Sequence, residues 1–268
     1  MVEIQLYHGT ALALTEAQVL ETIEALIGKA IPVCSPSNLE YFGYHHQGPH
    51  VKGLWLQAMQ LTALPDSIGQ LKNLEILKLE ENALTTLPES IGQLTNLEQL
   101  LISINQLTTL PDSIGQLKSL EKLGADNNQL PTLPDSMGQL TSLKHLNLSY
   151  NQLTTLPDSM GQLTSLKDLS LPGAKFSVFP EVVCQLTQLK KLRLNWTQLT
   201  SLPDSIGQLT QLEHLDLEQN QLTTLPEGIA QLKNLKYVSW DDNPISSLPE
   251  VLENWIQTLK QRGCRVYG

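Results

Sequence analysis

The sequence predicts an α/β solenoid, a curved horseshoe with short parallel strands on its concave side and 3₁₀ or extended segments on its convex side. The first observation is an internal repeat: the word LPDSIGQL and its variants LPESIGQL and LPDSMGQL recur with a constant 23-residue step. Nine such units, without insertion or deletion, cover residues 51–257. The second observation is that one unit cannot bury its own leucines, so neighbouring units must stack into a continuous core.

The first half of each unit is predicted to be a short strand. Its pattern LxxLxL ends in the alternation of apolar and polar residues that a half-buried strand shows. We therefore expect Leu77 and Leu79 to point into the core and Lys78 to point outward. An asparagine follows at a buried corner, where its amide can satisfy unpaired backbone groups and stack into a ladder. These asparagines are Asn82, Asn105, Asn128, Asn151, Asn220 and Asn243.

The second half of each unit, LPxxIG, is too short for a full α-helix and is predicted to form 3₁₀ or extended turns. Its proline fixes φ and suits the first turn of a short helix. The Asp or Glu that follows complements a helix N-terminus. We expect the glycine to let the chain turn back.

The template LxxLxLxxNxLxxLPxxIGxLxx, seen for example as LEILKLEENALTTLPESIGQLTN at residues 74–96, resembles the leucine-rich-repeat family. The LPxxIGxL half is similar to the 23-residue intracellular class, which includes the plant and animal Ras-group repeat proteins and many bacterial relatives. The resemblance implies a leucine-rich-repeat solenoid and makes a bacterial protein the expectation.

Residues 1–50 are predicted to cap the first repeat, because an open solenoid must cover its terminal core. Thr15 and Gln18 suggest a capping box at the start of a helix that ends at Gly28. The segment EYFGYHHQGPHVKGLWL then reads as two strands around a Gln47-Gly48-Pro49 turn. This start resembles the N-terminal part of Roco-type repeat proteins. The apolar stripe of the predicted helix consists of Val19, Leu20, Ile23, Leu26 and Ile27.

Residues 249–268 are predicted to form the second cap. PEVLENWIQTLKQRG reads as a helix that begins at Pro249 and ends at Gly263, and CRVY reads as a last short strand. With a cap at each end, we expect a complete domain. The side chains predicted to face the core are Val251, Leu252, Trp255, Ile256 and Leu259.

The unit 166–188 departs from the template. Ala174 stands at the asparagine position, Phe176 and Phe179 replace leucines, and Pro172-Gly173 is expected to break the exit from the strand. Two interpretations are open: local repacking, or a kink in the binding surface.

Positions 2, 3, 5, 7 and 8 of each unit are predicted to face outward on the concave side, since positions 1, 4 and 6 hold the inward leucines. These outward positions vary from unit to unit, whereas the convex half repeats nearly the same word. Outward Trp and Tyr are unusual in a chain that is 5% aromatic, and interfaces draw their anchors from Trp, Tyr and Arg. The predicted partner-binding residues are Trp55, Leu101, Tyr150, Lys167, Lys191, Arg193, Trp196, His214, Asp216 and Tyr237.

Charge on the outward positions is banded. Acidic residues predominate in the units before and after the middle ones, and such a pattern can orient a partner of complementary charge. The alternative is an ordinary solvated sheet. The middle units carry Lys144, Lys167, Lys190, Lys191 and Arg193.

The net charge of −10 argues against binding to nucleic acid or to an anionic membrane, both of which demand clustered Lys and Arg. The N-terminus shows no signal peptide or transmembrane span, so a cytoplasmic protein is expected, with export by a signal-less route left open. Cys34, Cys184 and Cys264 lie far apart and are expected to be reduced thiols. We expect a monomer. Neither a cofactor nor a metal is expected, since no phosphate-loop, GxGxxG or HExxH motif occurs.

The sequence therefore favours a non-enzymatic module that binds a partner protein on its concave side. One alternative senses a small ligand or glycan, which would require a pocket lined by Trp196 and Tyr150. Another is a secreted effector that acts on host proteins. An enzyme would require a compact acid–base site with strongly shifted pKa values, which the sequence does not indicate.

Overall fold

The computed structural model of the protein describes residues 2–34 and 42–268. The chain forms two compact units, Met1–Gln129 and Leu130–Gly268. This division falls within the repeats, so the boundaries that we infer at residues 50 and 249 stay a prediction.

The first unit opens with an antiparallel hairpin and a helix, and its repeat strands then follow one another in parallel order. A second hairpin joins the cap to the first repeat strand. Neighbouring repeat strands are aligned one repeat apart, as the pairing of Leu77 with Leu100 shows. The elements are β1 (Ile4–Tyr7), β2 (Thr10–Ala13), α1 (Leu14–Ile27), β3 (Phe42–Gln47), β4 (His50–Leu56), β5 (Ile76–Lys78), β6 (Gln99–Leu101) and β7 (Lys122–Gly124).

The second unit is a parallel sheet closed by a helix and a last strand. The repeat strands keep the same alignment, which places Lys191 opposite His214, whereas the last strand pairs Ser239 with Tyr267. The elements are β8 (His145–Asn147), β9 (Asp168–Ser170), β10 (Lys191–Arg193), β11 (His214–Asp216), β12 (Tyr237–Ser239), α2 (Glu250–Gln261) and β13 (Arg265–Tyr267). The predicted parallel repeat strands and the last short strand are confirmed.

Leucines fill the core of each unit, and the predicted asparagine ladder is confirmed. Leu77 and Leu79 are fully buried. The amide of Asn105 accepts the Leu84 N–H at 3.0 Å and donates to the carbonyls of Leu79 and Ile102 at 2.9 and 3.1 Å. Each asparagine therefore fastens its own turn to that of the preceding repeat.

The LPxxIG segments form short 3₁₀ helices, and each proline is the extended residue immediately before its helix, for example Pro88 with φ −69° and ψ 150°. The expected role of the glycine is wrong. Gly92 does not adopt a left-handed conformation, and a Cβ there would lie 2.5 Å from the Ser113 carbonyl oxygen of the next repeat. Glycine at position 92 avoids this overlap between closely approaching coils. The 3₁₀ helices are Asp66–Gln70, Glu89–Gln93, Asp112–Gln116, Asp135–Gln139, Asp158–Gln162, Glu181–Gln185, Asp204–Gln208 and Glu227–Gln231.

The N-terminal helix begins differently from the prediction. The capping box at Thr15 and Gln18 is wrong, because α1 already starts at Leu14, directly after β2, without a side-chain cap. Its first N–H groups include that of Leu14, which donates to the Glu3 carbonyl at 2.8 Å. The predicted end of the helix at Gly28 is confirmed, and this glycine is left-handed with φ 71°. Leu26, expected in the apolar stripe, is 56% exposed.

Two glutamates fasten the N-terminal helix to its surroundings. Glu16 is buried, accepts the Val51 N–H at 2.6 Å and faces His50 Nδ1 at 2.9 Å. Glu24 accepts the Tyr7 hydroxyl at 2.5 Å and the Ile31 N–H at 2.6 Å. Burial raises the pKa of Glu24, but these hydrogen bonds outweigh it and bring the pKa below its ordinary value.

The start of the predicted hairpin, Glu40 and Tyr41, lies outside the described residues, and the rest is confirmed as β3 and β4 around Gly48-Pro49. The hairpin of β1 and β2 was not expected. Its tight turn is formed by His8 and Gly9, both with positive φ.

The C-terminal helix α2 covers the last repeat through one narrow apolar face. Leu252, Trp255 and Leu259 are buried, and the Trp255 ring stacks on Trp240 at a centroid distance of 6.5 Å. Val251 is 44% exposed, so its expected place in the core is wrong. The buried residues 252, 255 and 259 are spaced by three and four and lie along one side of the helix.

The irregular unit 166–188 keeps the regular path. The expected break at Pro172-Gly173 does not occur: the Tyr150 N–H donates to the Pro172 carbonyl at 2.6 Å, and the Gly173 N–H donates to the Asn195 carbonyl at 3.1 Å. Ala174, Phe176 and Phe179 are buried. The unit is accommodated by local repacking, since its larger side chains fill the core.

Candidate functional site

The candidate site is the strand face of the second unit, which we define as the outward side chains of β8–β13, of the residue before each repeat strand and of the three residues after it. Because the strands pair in register, these side chains form rows across the sheet. One row contains Lys191, His214 and Tyr237, and the next contains Arg193, Asp216 and Ser239. Most of the predicted partner-binding residues are thereby brought onto one face.

Aromatic rings are stacked along this face. The rings of His214 and Tyr237 lie parallel within 7° at a centroid distance of 4.3 Å, and Tyr237 meets Tyr267 at 5.7 Å. The Tyr237 hydroxyl donates to Glu218 Oε1 at 2.9 Å. These three rings form an aromatic platform, in which Tyr267 is tilted by 44° from Tyr237 and one charge-assisted hydrogen bond holds Tyr237. Tyr267 escaped prediction because β13 lies outside the periodic part of the sequence.

Partial burial sets the protonation of this platform. Burial and the hydrogen bond to Glu218 raise the pKa of Tyr237 to about 12. Burial lowers the pKa of His214, and the cations of Arg193 and Lys191 act in the same direction. Burial raises the pKa of Asp216, whose carboxylate accepts the Glu218 N–H at 3.1 Å. The histidine therefore favours its neutral form.

The cations of the strand face differ in how far they are neutralised. Arg193 Nη1 lies 2.9 Å from Asp168 Oδ1 on the neighbouring strand, and Lys190 Nζ lies 3.6 Å from Glu213 Oε1. Lys167 and Lys191 are exposed, and among the residues that the structure describes neither ammonium group is in an ion pair.

Two aromatic side chains project into solvent from a strained backbone. Tyr150 is 54% and Trp196 55% exposed, with φ of 53° and 64°. A left-handed conformation costs a side chain with Cβ about 1–2 kcal/mol. The Tyr150 ring lies against Gly173, where a Cβ would be 2.9 Å from Tyr Cδ1. The irregular unit thus leaves room for this ring.

The left-handed conformation belongs to the repeat rather than to these two aromatic residues. Glycine and asparagine adopt it most readily, so large side chains at this position carry a conformational cost. Position 8 has positive φ in every repeat: Ala58, Glu81, Ile104, Asn127, Tyr150, Gly173, Trp196, Gln219 and Asp242.

The two predicted partner-binding residues of the first unit, Trp55 and Leu101, are less exposed than Tyr150 and Trp196. Trp55 was expected to be exposed, and this is wrong: it is 5% exposed, and its ring lies across the Cα of Gly53 two residues earlier on the same strand. Leu101 is half-buried, with Cδ2 3.1 Å from the place of a Cβ on Gly124. The glycines let both side chains lie flat on the sheet.

A cleft of about 410 Å³ lies at the loops that follow the last repeat strands of the second unit. Its lining contains neither Trp196 nor Tyr150, so it is not the aromatic pocket that a ligand sensor was expected to have. The lining residues are Gln198, Gln219, Asn220, Gln221 and Asp242.

Metal ligands, thiols and membrane-spanning helices concern other kinds of function. Across residues 2–34 and 42–268, no group of three or more His, Cys, Asp or Glu side chains is arranged to hold a metal ion. Cys34, Cys184 and Cys264 are free and buried. No helix in the described part of the chain has the length and apolarity to cross a membrane.

Comparison with known proteins gives one family. The profile described as "Leucine-rich repeat region" matches residues 33–129, 102–193 and 178–261. No curated protein matches the chain. A solved leucine-rich-repeat protein of Leptospira interrogans is 38% identical, with a TM-score of 0.72, over 78% of this chain and 52% of that one. This chain therefore spans about half the length of that relative.

Two further solved structures are complexes. The Toll–Spatzle complex of Drosophila is 25% identical, with a TM-score of 0.69, over 76% of this chain and 30% of that one. The ectodomain of the receptor kinase GASSHO1/SCHENGEN3 of Arabidopsis thaliana, solved with CASPARIAN STRIP INTEGRITY FACTOR 2, is 26% identical, with a TM-score of 0.57, over 84% of this chain and 30% of that one.

Proposed function

Because the chain belongs to the leucine-rich-repeat family, whose fold is generally a protein–protein interaction module, we propose that it is a non-catalytic binding module that receives a partner protein on the strand face of its second unit. The observation that carries this proposal is the pair of exposed aromatic residues, Tyr150 and Trp196, held at strained positions. A large aromatic side chain that costs conformational energy and stays about half exposed is understandable if a partner covers it.

Two further observations support the proposal. The two complexes described above contain a protein ligand, Spatzle or CASPARIAN STRIP INTEGRITY FACTOR 2. The residues of the strand face also vary from repeat to repeat, while the rest of each repeat is nearly constant. Residues that could recognise a partner are thus different from the residues that maintain the fold.

We do not assign a catalytic role to the titratable residues of the strand face. The shifted pKa values of His214 and Asp216 arise first from burial, and the imidazole ring is occupied in a stack with Tyr237. An acid–base site would instead aim its side chains at a shared reacting atom.

We propose in addition a cytoplasmic monomer that binds neither membrane nor nucleic acid. Three free, buried thiols suit a reducing compartment. Cell fractionation and sedimentation of the purified chain test these points, and recovery in the culture medium or as a stable dimer would contradict them.

The binding face can be tested by photo-crosslinking in cells of the source organism. A photoreactive phenylalanine analogue replaces Trp196 in one variant and Lys233, an exposed residue before β12, in the control. We expect one protein adduct, identified by mass spectrometry, from position 196 and not from position 233. Identical adducts from both positions, or none from position 196, would contradict the proposed face.

A further inference from the structure

The strand face of the second unit carries charge of two signs in separate bands. In a chain of net charge −10, the outward positions of the three repeats from 143 to 211 hold five cations and one carboxylate, Asp168. We call the five cations the basic band: Lys144, Lys167, Lys190, Lys191 and Arg193. The next two repeats carry the acidic band: Glu213, Asp216, Glu218, Asp241 and Asp242. The one cation among them, Lys236, is in an ion pair with Glu213.

Part of the basic band is already neutralised. Asp168 takes up Arg193, and Glu213 takes up Lys190 across the boundary between the bands. Lys167 stands immediately before β9 and Lys191 is the first residue of β10, two adjacent strands about 4.8 Å apart, and among the described residues neither lysine is in an ion pair. Residues two apart in an extended peptide are separated by about 7 Å, so two carboxylates of one segment can reach both ammonium groups.

The exposed aromatic residues lie beside this charge. Tyr150 follows β8 and Trp196 follows β10, so one precedes and the other follows the irregular repeat that contains Lys167. Aromatic anchors surrounded by charge are typical of protein interfaces. Apolar side chains of a bound segment would contact them while its carboxylates contact the lysines.

Resting on the proposed function, we infer that the part of the partner that docks here is an extended peptide segment with an acidic, apolar stretch over β8–β10 and a basic end over β11–β12. The acidic band selects this class over nucleic acid. A phosphodiester chain has one sign of charge along its length and would be repelled by Asp216 and Asp241, whereas a peptide can change sign between the two bands.

Selection from a displayed library of random peptides tests the inference. The full chain and its double variant Lys167→Glu/Lys191→Glu are used as separate baits. We expect peptides from the native chain to be enriched in Asp and Glu next to an apolar residue, and those from the variant to lose this bias.

Titrations of the most enriched peptide by fluorescence anisotropy then measure the contribution of each charge. Lys191→Glu is expected to weaken binding about tenfold, because it replaces an attraction by a repulsion. The matched control Lys233→Glu, which changes the net charge equally away from the strand face, is expected to leave binding within about twofold.

Three results would overturn the inference: enriched peptides that lack an acidic stretch, no enrichment over the input library, or a single-stranded oligonucleotide that binds as tightly as the best peptide. These outcomes are separable from failure of the proposed function. If crosslinking at position 196 identifies a protein partner but the selected peptides lack acidic residues, the face is correct and the assigned partner chemistry is wrong.

Discussion

The two halves of each repeat are under different physical constraints. On the 3₁₀ side, neighbouring coils approach so closely that Gly92 cannot carry a Cβ, and the same word recurs along the chain. On the strand side, the outward residues meet solvent, and their identity changes from His214 to Tyr237 between neighbouring strands. The contrast teaches that sequence repetition follows contact between coils and that sequence variety follows freedom from it.

The largest loss of stability is expected from substitutions in the asparagine ladder, which lies at the boundary between the two halves of the repeat. Asn220 accepts N–H groups from Thr197 and Leu199 and the Thr197 hydroxyl, and it donates to backbone carbonyls. We expect Asn220→Ala to lower the free energy of unfolding by about 3 kcal/mol and Asn105→Ala by about 2 kcal/mol, since fewer buried groups lose a partner at Asn105. Urea denaturation measures both, and equal losses would mean that the extra donors contribute nothing.

The close approach of the coils can be tested with two glycines in adjacent repeats. A Cβ on Gly138 would lie 2.3 Å from the Ser159 carbonyl oxygen, which is fixed backbone, whereas on Gly161 it would meet the end of the Gln185 side chain. Overpacking costs about 1–3 kcal/mol, so we expect Gly138→Ala to cost about 2 kcal/mol and Gly161→Ala less than about 1 kcal/mol. If thermal denaturation shows the same loss for both, packing against backbone is not the reason for the glycine.

In the strand half of the repeat, a substitution is expected to increase the stability of the fold. Asparagine tolerates the left-handed conformation that Trp196 is forced to adopt, so Trp196→Asn is expected to stabilise the fold by about 0.5–1 kcal/mol. The same substitution should abolish capture of the partner found by crosslinking. Loss of both stability and binding would show that the Trp196 ring has a structural role.

The smallest effect is a pH dependence within the aromatic platform. The pKa of His214 is below its ordinary value of 6.5 in the folded protein, so the unfolded chain binds its proton more readily. The free energy of unfolding should therefore fall as the pH drops below about 6.5, until the folded-state pKa is passed. Asp216, with its raised pKa, acts in the opposite direction at acid pH.

Comparison with His214→Phe isolates the histidine, because phenylalanine keeps a ring beside Tyr237 and leaves Asp216 in place. The variant should lose less stability than the native chain between about pH 7 and pH 5. Parallel curves of melting temperature against pH would contradict the shift assigned to His214.

The repeat fold was predictable because its signal is periodic and recurs nine times. Leu77, Asn105 and the parallel register follow from the spacing of residues alone. The ends were less predictable, since Thr15 resembles a helix cap only until β2 is known to run directly into α1. The hairpin of β1 and β2 lies before the repeats, so the repeat pattern does not predict it.

Within the candidate site, the sequence predicted which face of the sheet a side chain is on, but it did not predict how exposed that side chain is. Trp55 occupies an outward position, yet it is buried because Gly53 lets the ring lie flat across the strand. The aromatic platform of His214, Tyr237 and Tyr267 depends on rotamers and on a last strand outside the repeat. Sequence spacing specifies which face a residue is on, and neighbouring side chains determine whether it is accessible.

The invariant length of the repeat also bears on how such a chain can change over generations. A block one repeat long begins and ends at the same point of the coil, so recombination between equivalent points can duplicate, delete or exchange a block and still join compatible ends. A copied block brings its own outward residues with it. The number and order of the different sets of outward residues can therefore be altered in single genetic events, faster than point substitution alone would allow.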